Sequence, residues 1–122
     1  MRVLSGQLEV LNTTRGILLV DRGERAVTLG TRAKGLIGRD ALEPGQGLLV
    51  APCQGIHTFL MRFPIDALYL DKSDRIIRMV RAIPPNRIGP FISKCASVLE
   101  LPAGTIDTTG TQEGDMLSIC CA

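Results

Sequence analysis

The sequence predicts an all-β domain: a small β-sandwich or jelly-roll-like barrel with one short helix near residues 31–38. Three observations lead there. Short runs of branched and apolar residues recur along the chain, each bounded by Gly, Pro, Asn or Asp. Helical spacing of apolar residues is found in one stretch alone, Arg32–Gly38. No repeat or linker divides the 122 residues, so 1–122 reads as a single domain, and with 45% apolar residues it is large enough to bury a core without staples.

Leu8–Leu11 and Gly16–Val20 carry strand formers on either side of Asn12-Thr13-Thr14-Arg15, a turn-like run that pairs them as a hairpin. Arg22-Gly23-Glu24 reads as the next turn and Ala26–Leu29 as a short strand. Thr31 reads as an N-cap for Arg32–Gly38, with Ala33, Leu36 and Ile37 on one side and Gly38 as the stop. The breakers of Glu43–Gly47 make a loop, and Leu48–Ala51 a buried strand. Strand character runs on from Thr58, broken at Pro64, through Ala67–Leu70. Asp71–Asp74 is a turn leading to Ile76–Ala82. Pro84–Pro90 is a long surface loop of the kind that often carries function. Ser97–Leu101 is a strand stopped by Pro102, Thr108–Gly114 a polar loop, and Met116–Cys120 the last strand.

Composition narrows the function. Fourteen basic and twelve acidic residues leave a net charge of +2, too little to point to nucleic acid. The bias is local: Arg75, Arg78, Arg81, Arg87 and Lys94 form a basic stretch, and no Lys or Arg follows it. Three Phe, one Tyr and no Trp are few for stacking bases. Met1–Gly6 has no apolar signal core behind it, and no apolar run is long enough to span a membrane, so the expected location is cytoplasmic. Cys53, Cys95, Cys120 and Cys121 have neither zinc-knuckle nor disulfide-framework spacing, which fits free thiols in a reducing compartment.

Chemistry is concentrated in Cys53–Asp71, which holds a thiol, the single histidine, a thioether, an arginine and a carboxylate. Cys53, His57 and Met61 are spaced by four with soft-ligand character. On a strand, four residues cover roughly 13 Å at about 3.3 Å each, too far for one ion, so no metal or other cofactor is expected. Asp66 and Glu100 lie in apolar strands, where a carboxylate must be paired, hydrogen-bonded or neutral. Arg39 and Arg62 are the arginines at hand to pair them. On an extended strand His57, Phe59, Met61 and Phe63 would share one face. No nucleophile-elbow or phosphate-cradle motif is present.

Several fragments resemble one family. Gly35-Leu-Ile-Gly-Arg39 with Leu42, Gly47-Leu-Leu, His57-Thr-Phe-Leu-Met-Arg-Phe-Pro-Ile-Asp66, Val98-Leu-Glu-Leu-Pro-Ala-Gly104 and Gly114-Asp115 occur in the order of family 192 of the domains of unknown function, over about Leu29–Leu117. The resemblance implies a small β-sandwich or jelly-roll-like domain and no agreed activity. Many members are exported with a signal peptide, and those with a W-M-K-N-T-x-I-P-L-D centre have no histidine at the position of His57.

The expected function is that of a binding module for a small polar ligand or a protein partner, with Arg39, His57, Arg62, Asp66 and Glu100 on a shared edge under the Pro84–Pro90 loop. The alternatives are a small hydrolase or isomerase using a carboxylate and His57 as acid and base, and a structural or assembly module with an exposed apolar patch in place of a pocket.

Overall fold

The structure is a computed structural model that describes residues 8–121. The stretch Met1–Gly6, read above for a signal core, lies outside them. Seven strands follow in chain order: β1 (Leu8–Asn12), β2 (Ile17–Ala26), β3 (Gln46–Val50), β4 (Ile65–Leu70), β5 (Ile76–Ile83), β6 (Ser97–Pro102) and β7 (Leu117–Cys121). Two short helices join them, α1 (Leu29–Lys34) between β2 and β3 and α2 (Thr105–Thr109) after β6. The strands form one curled sheet in the order β5-β4-β6-β3-β2-β1-β7, so the domain is all-β as expected. All pairs are antiparallel except β2–β3, which are parallel because the α1 segment carries the chain back between them.

The two edge strands meet at one end. Arg75 forms a bridge with Met116, Ile76 N–H donates to the Asp115 carbonyl, and Leu117 N–H donates to the Asp74 carbonyl. The sheet is thereby pinched towards a barrel. Both faces are covered, which is why β4 and β6 read as near-continuous apolar runs. Leu68, Leu70, Leu99 and Leu101 point to the inner core with Leu8, Val10 and Ile76. Ile65, Ala67, Tyr69 and Val98 point to an outer core with Leu48, Val50, Leu36 and Met61. Alternation along a strand assigns each residue to one or the other.

Four local expectations are corrected. Arg22-Gly23-Glu24 is not a turn but the middle of β2. A Cβ on Gly23 would come within 2.9 Å of the Leu8 carbonyl and of Val20 Cγ1, so this glycine permits close strand approach at a register shift. The N-cap is Thr28, not Thr31: the Thr28 hydroxyl accepts from Thr31 N–H, and the Thr31 hydroxyl accepts from Thr28 N–H. The helix therefore starts where a strand was expected and stops at Gly35, whose φ is 49°. Thr58–Phe63 is a turn, with Leu60 at φ 64°, so the strand begins only after Pro64. Part of the expected polar loop, Thr108–Gly114, is the end of α2.

Candidate functional site

An open groove of about 910 Å³ lies on the outer side of the sheet. Its walls come from α1, from the segment around Pro52–Phe59 and from the loop that follows β5. Thr58 zips the last two together. Its N–H donates to the Arg87 carbonyl at 2.8 Å, its hydroxyl donates to the Pro84 carbonyl at 2.6 Å, and its carbonyl accepts from Asn86 N–H. Gly89 N–H donates to the Ile56 carbonyl, and His57 bridges Ile88. The Pro84–Pro90 loop is thus a wall of the groove, held by a fully buried threonine.

The groove is lined by large apolar side chains left in contact with solvent: Leu29 at 77% exposure, Ile88 at 76%, Phe91 at 71% and Phe59 at 43%. A small inner chamber of about 60 Å³ adjoins it, sharing Arg32, Val50, Cys53 and His57 among its lining. Met61 and Glu100 also line the chamber. Glu100 stands opposite Leu48 and Ala67 in the sheet, which directs its side chain to the outer face under α1. It is 5% exposed. Burial pushes its pKa up to about 7, against the opposing field of Arg39.

The expected residues separate into three groups. His57 and Glu100 line one chamber, but no hydrogen bond joins them. His57 is exposed, stacks on Phe59 with ring centroids 5.2 Å apart, and accepts the Phe59 N–H on Nδ1. Its acid/base pairing with Glu100 or Asp66 is therefore absent among the described residues. Asp66 lies on the other face, because it pairs with Leu101 while its neighbour Ala67 pairs with Glu100. Its carboxylate accepts from Ala82 N–H at 2.9 Å, Gly104 N–H at 3.1 Å and Ile106 N–H at 2.9 Å. It pins β5 and the start of α2 to β4 and has the role of a structural anchor. Arg39 and Arg62 do not pair with these carboxylates, contrary to expectation. Arg39 binds Glu24 and Arg62 binds Asp40, both near the surface.

Sequence reasoning missed the lining of the groove. Leu29, Ile88 and Phe91 belong to no chemical motif, and their exposure follows from tertiary placement. It also missed Arg32, whose Nε is buried without a partner among the described residues while one terminal nitrogen donates to the Pro52 carbonyl at 3.1 Å. The spacing argument against a shared metal assumed a strand through His57 and Met61. The turn brings Cys53, His57 and Met61 onto one chamber instead. Even so, among the described residues no three His, Cys, Asp or Glu side chains are placed to hold a metal ion. Cys53 donates its thiol to the Gly55 carbonyl and Cys95 donates to the Ser97 carbonyl, each at 3.0 Å. Burial pushes both thiols up, which keeps them protonated and poor as nucleophiles.

The fold is shared with solved structures. A protein of unknown function from Novosphingobium aromaticivorans matches with a TM-score of 0.79 at 23% identity, over 92% of this chain and 83% of that one. A protein described as a "putative transcription regulator" from Sinorhizobium meliloti matches with a TM-score of 0.77 at 24% identity, over 92% of this chain and 91% of that one. At such identities the likeness concerns the fold alone. No curated protein matches the sequence. The family described as an uncharacterized ACR, DUF192, matches residues 10–119, and with that span of the sheet, the Thr58 turn and the Gly114-Asp115 corner accounted for, the chain belongs to this family.

Proposed function

We propose that the domain is a binding module whose groove takes a small ligand with an apolar body and a polar head. One observation carries this reading: an open groove of ligand size, walled by exposed Leu29, Phe59, Ile88 and Phe91, leads to a buried carboxyl with no hydrogen-bond partner among the described residues. Small-molecule sites have this composition, mostly apolar with a few convergent polar groups. Covering those four side chains removes apolar surface from water and supplies the driving force. The polar ligand expected from the sequence is thus recast as amphipathic, and the shared edge of Arg39, Arg62 and Asp66 is replaced by the groove. Free thiols at Cys53, Cys95 and Cys120 support placement in a reducing, cytoplasmic compartment. Nucleic acid stays outside this reading: the net charge is +2, and three Phe and one Tyr are few for stacking bases.

The test is titration of the isotope-labelled protein with 1-anilinonaphthalene-8-sulfonate, an apolar anionic reporter, followed by competition with a fragment library. The expected result is saturable binding to the native protein, with shifts at Phe59, Ile88 and Phe91, weakened at least tenfold by Phe91→Asp with the fold intact. Shifts spread over the surface, or unaffected by Phe91→Asp, would overturn the reading.

A second reading rests on Glu100 alone. A carboxyl that titrates near neutrality is suited to general acid/base work. It would act on a substrate in the same groove, with His57 lining the same chamber.

A further inference from the structure

Two buried polar groups of opposite hydrogen-bonding sense line the inner chamber. Arg32 Nε–H is a donor without an acceptor. Glu100 is a carboxyl more than nine-tenths buried, with no hydrogen bond or ion pair among the described residues. They do not pair with each other, so a gap separates them. An orphaned buried donor such as Arg32 Nε is uncommon and costly, and with an unbonded carboxyl lining the same chamber it calls for an occupant.

The chamber has room for a few heavy atoms, on a scale of about 10–15 Å³ for each water-sized sphere. The charges around it limit which head group fits. Arg32 and Lys34 line it from α1, Glu100 from β6, and Cys53 and His57 from the facing segment; the charge of Arg39, outside the lining, acts on Glu100, and Tyr69 lies within the field of Glu100. An ammonium would satisfy Glu100 but leave Arg32 unpaired beside a like charge. A carboxylate would satisfy Arg32 but confront a like charge once Glu100 is ionised. A neutral group with one acceptor and one donor satisfies both and adds no charge to a desolvated space.

Resting on the groove reading above, we infer that the inner chamber is a head-group subsite for a neutral carboxamide, whose carbonyl accepts from Arg32 Nε–H and whose N–H donates to Glu100. The ligand class is then an apolar carboxamide: the amide enters the chamber, and its alkyl or aryl body lies along Leu29, Phe59, Ile88 and Phe91.

The experiment compares hexanamide, hexanoate and hexylammonium by chemical-shift titration of protein labelled with ¹³C at its glutamate carboxyls. All three should enter the groove through the shared tail. Hexanamide should bind at least tenfold tighter and be the probe that moves the Glu100 carboxyl resonance. Glu100→Leu should erase the amide's advantage while keeping tail binding, and so should Arg32→Lys, which keeps the charge but removes the Nε–H. A melting curve for each variant confirms that it is folded. The inference is overturned if hexanoate or hexylammonium equals the amide, or if the advantage survives both variants. Equal binding of all three leaves the groove reading standing and removes only the subsite. Binding of none overturns the groove reading and this inference with it.

Discussion

Arg15 Nε donates to Asp115 Oδ2 at 2.7 Å, joining the β1–β2 turn to the corner before β7 across 100 residues of chain. The same carboxylate accepts from Asn12 Nδ2 at 2.9 Å and from Gln112 N–H at 3.0 Å. Burial alone would raise the Asp115 pKa. Bonds from Arg15, Asn12 and Gln112 reverse that and hold it below the ordinary carboxylate value. Its stabilising effect is therefore present above the unfolded pKa and is lost as pH falls through the folded one. Asp115→Ala should cost about 2–4 kcal/mol at pH 7 by urea unfolding. The loss should shrink in acid, as the wild-type carboxylate is itself protonated below its ordinary pKa.

Asp66 is the second anchor. Three backbone N–H groups converge on it, and its removal leaves them buried without an acceptor. Asp66→Ala should cost about 3 kcal/mol, and Asp66→Asn less, since one carbonyl oxygen remains. Amide hydrogen exchange at Ala82, Gly104 and Ile106 should quicken in both variants. Unchanged exchange at those three positions would contradict the anchor role.

Glu100 acts in the opposite direction. Its folded pKa of about 7 exceeds the ordinary 4.5, so between these values the unfolded chain is ionised while the folded one still holds its proton. Stability falls as pH rises through that window, by an amount on the order of 3 kcal/mol. Glu100→Gln should remove the slope. The variant should be more stable than wild type at pH 8 and about equal at pH 4, as read from urea midpoints.

Tyr69 provides a clean optical probe, because it is the single tyrosine and the chain has no tryptophan. Its hydroxyl donates to the Pro90 carbonyl at 2.8 Å, and burial pushes its pKa up to about 12. Absorbance at the tyrosinate band should show a midpoint near 12 in the folded protein and about 10 in denaturant. Tyr69→Phe should cost about 1 kcal/mol and loosen the end of the groove wall at Pro90.

Much of the fold was legible in the sequence, and the reasons are local. Apolar runs and breakers placed six of the seven strands to within two residues, because β1 shows alternation, β4 and β6 are near-continuous apolar runs, and turn residues bound them. The errors fell where tertiary contact overrides a local signal. Gly23 resembles a turn glycine but serves close packing against Leu8. Phe59, Met61 and Phe63 have the composition of a strand, yet Leu60 turns the chain so that Thr58 can hold the opposite loop. For the site, the sequence singled out His57 and Glu100, which do share a chamber. It also grouped Asp66 with Glu100. Only the pairing register shows that they face opposite sides of the sheet.

The pairing of Leu8 with Cys121 sets the order in which the molecule can be completed. Of the seven described strands a ribosome delivers β7 last, so β1 waits with one edge uncovered, and Arg15 waits for Asp115, until residue 121 has emerged. A nascent chain held short of residue 115 would expose that edge and unseal the inner core. The same adjacency places the ends of the described chain side by side. A circular permutant that joins them and opens the Asp71–Asp74 turn would bring β7 out of the ribosome next to β1, and it should acquire protease resistance at a shorter nascent length than the native order does.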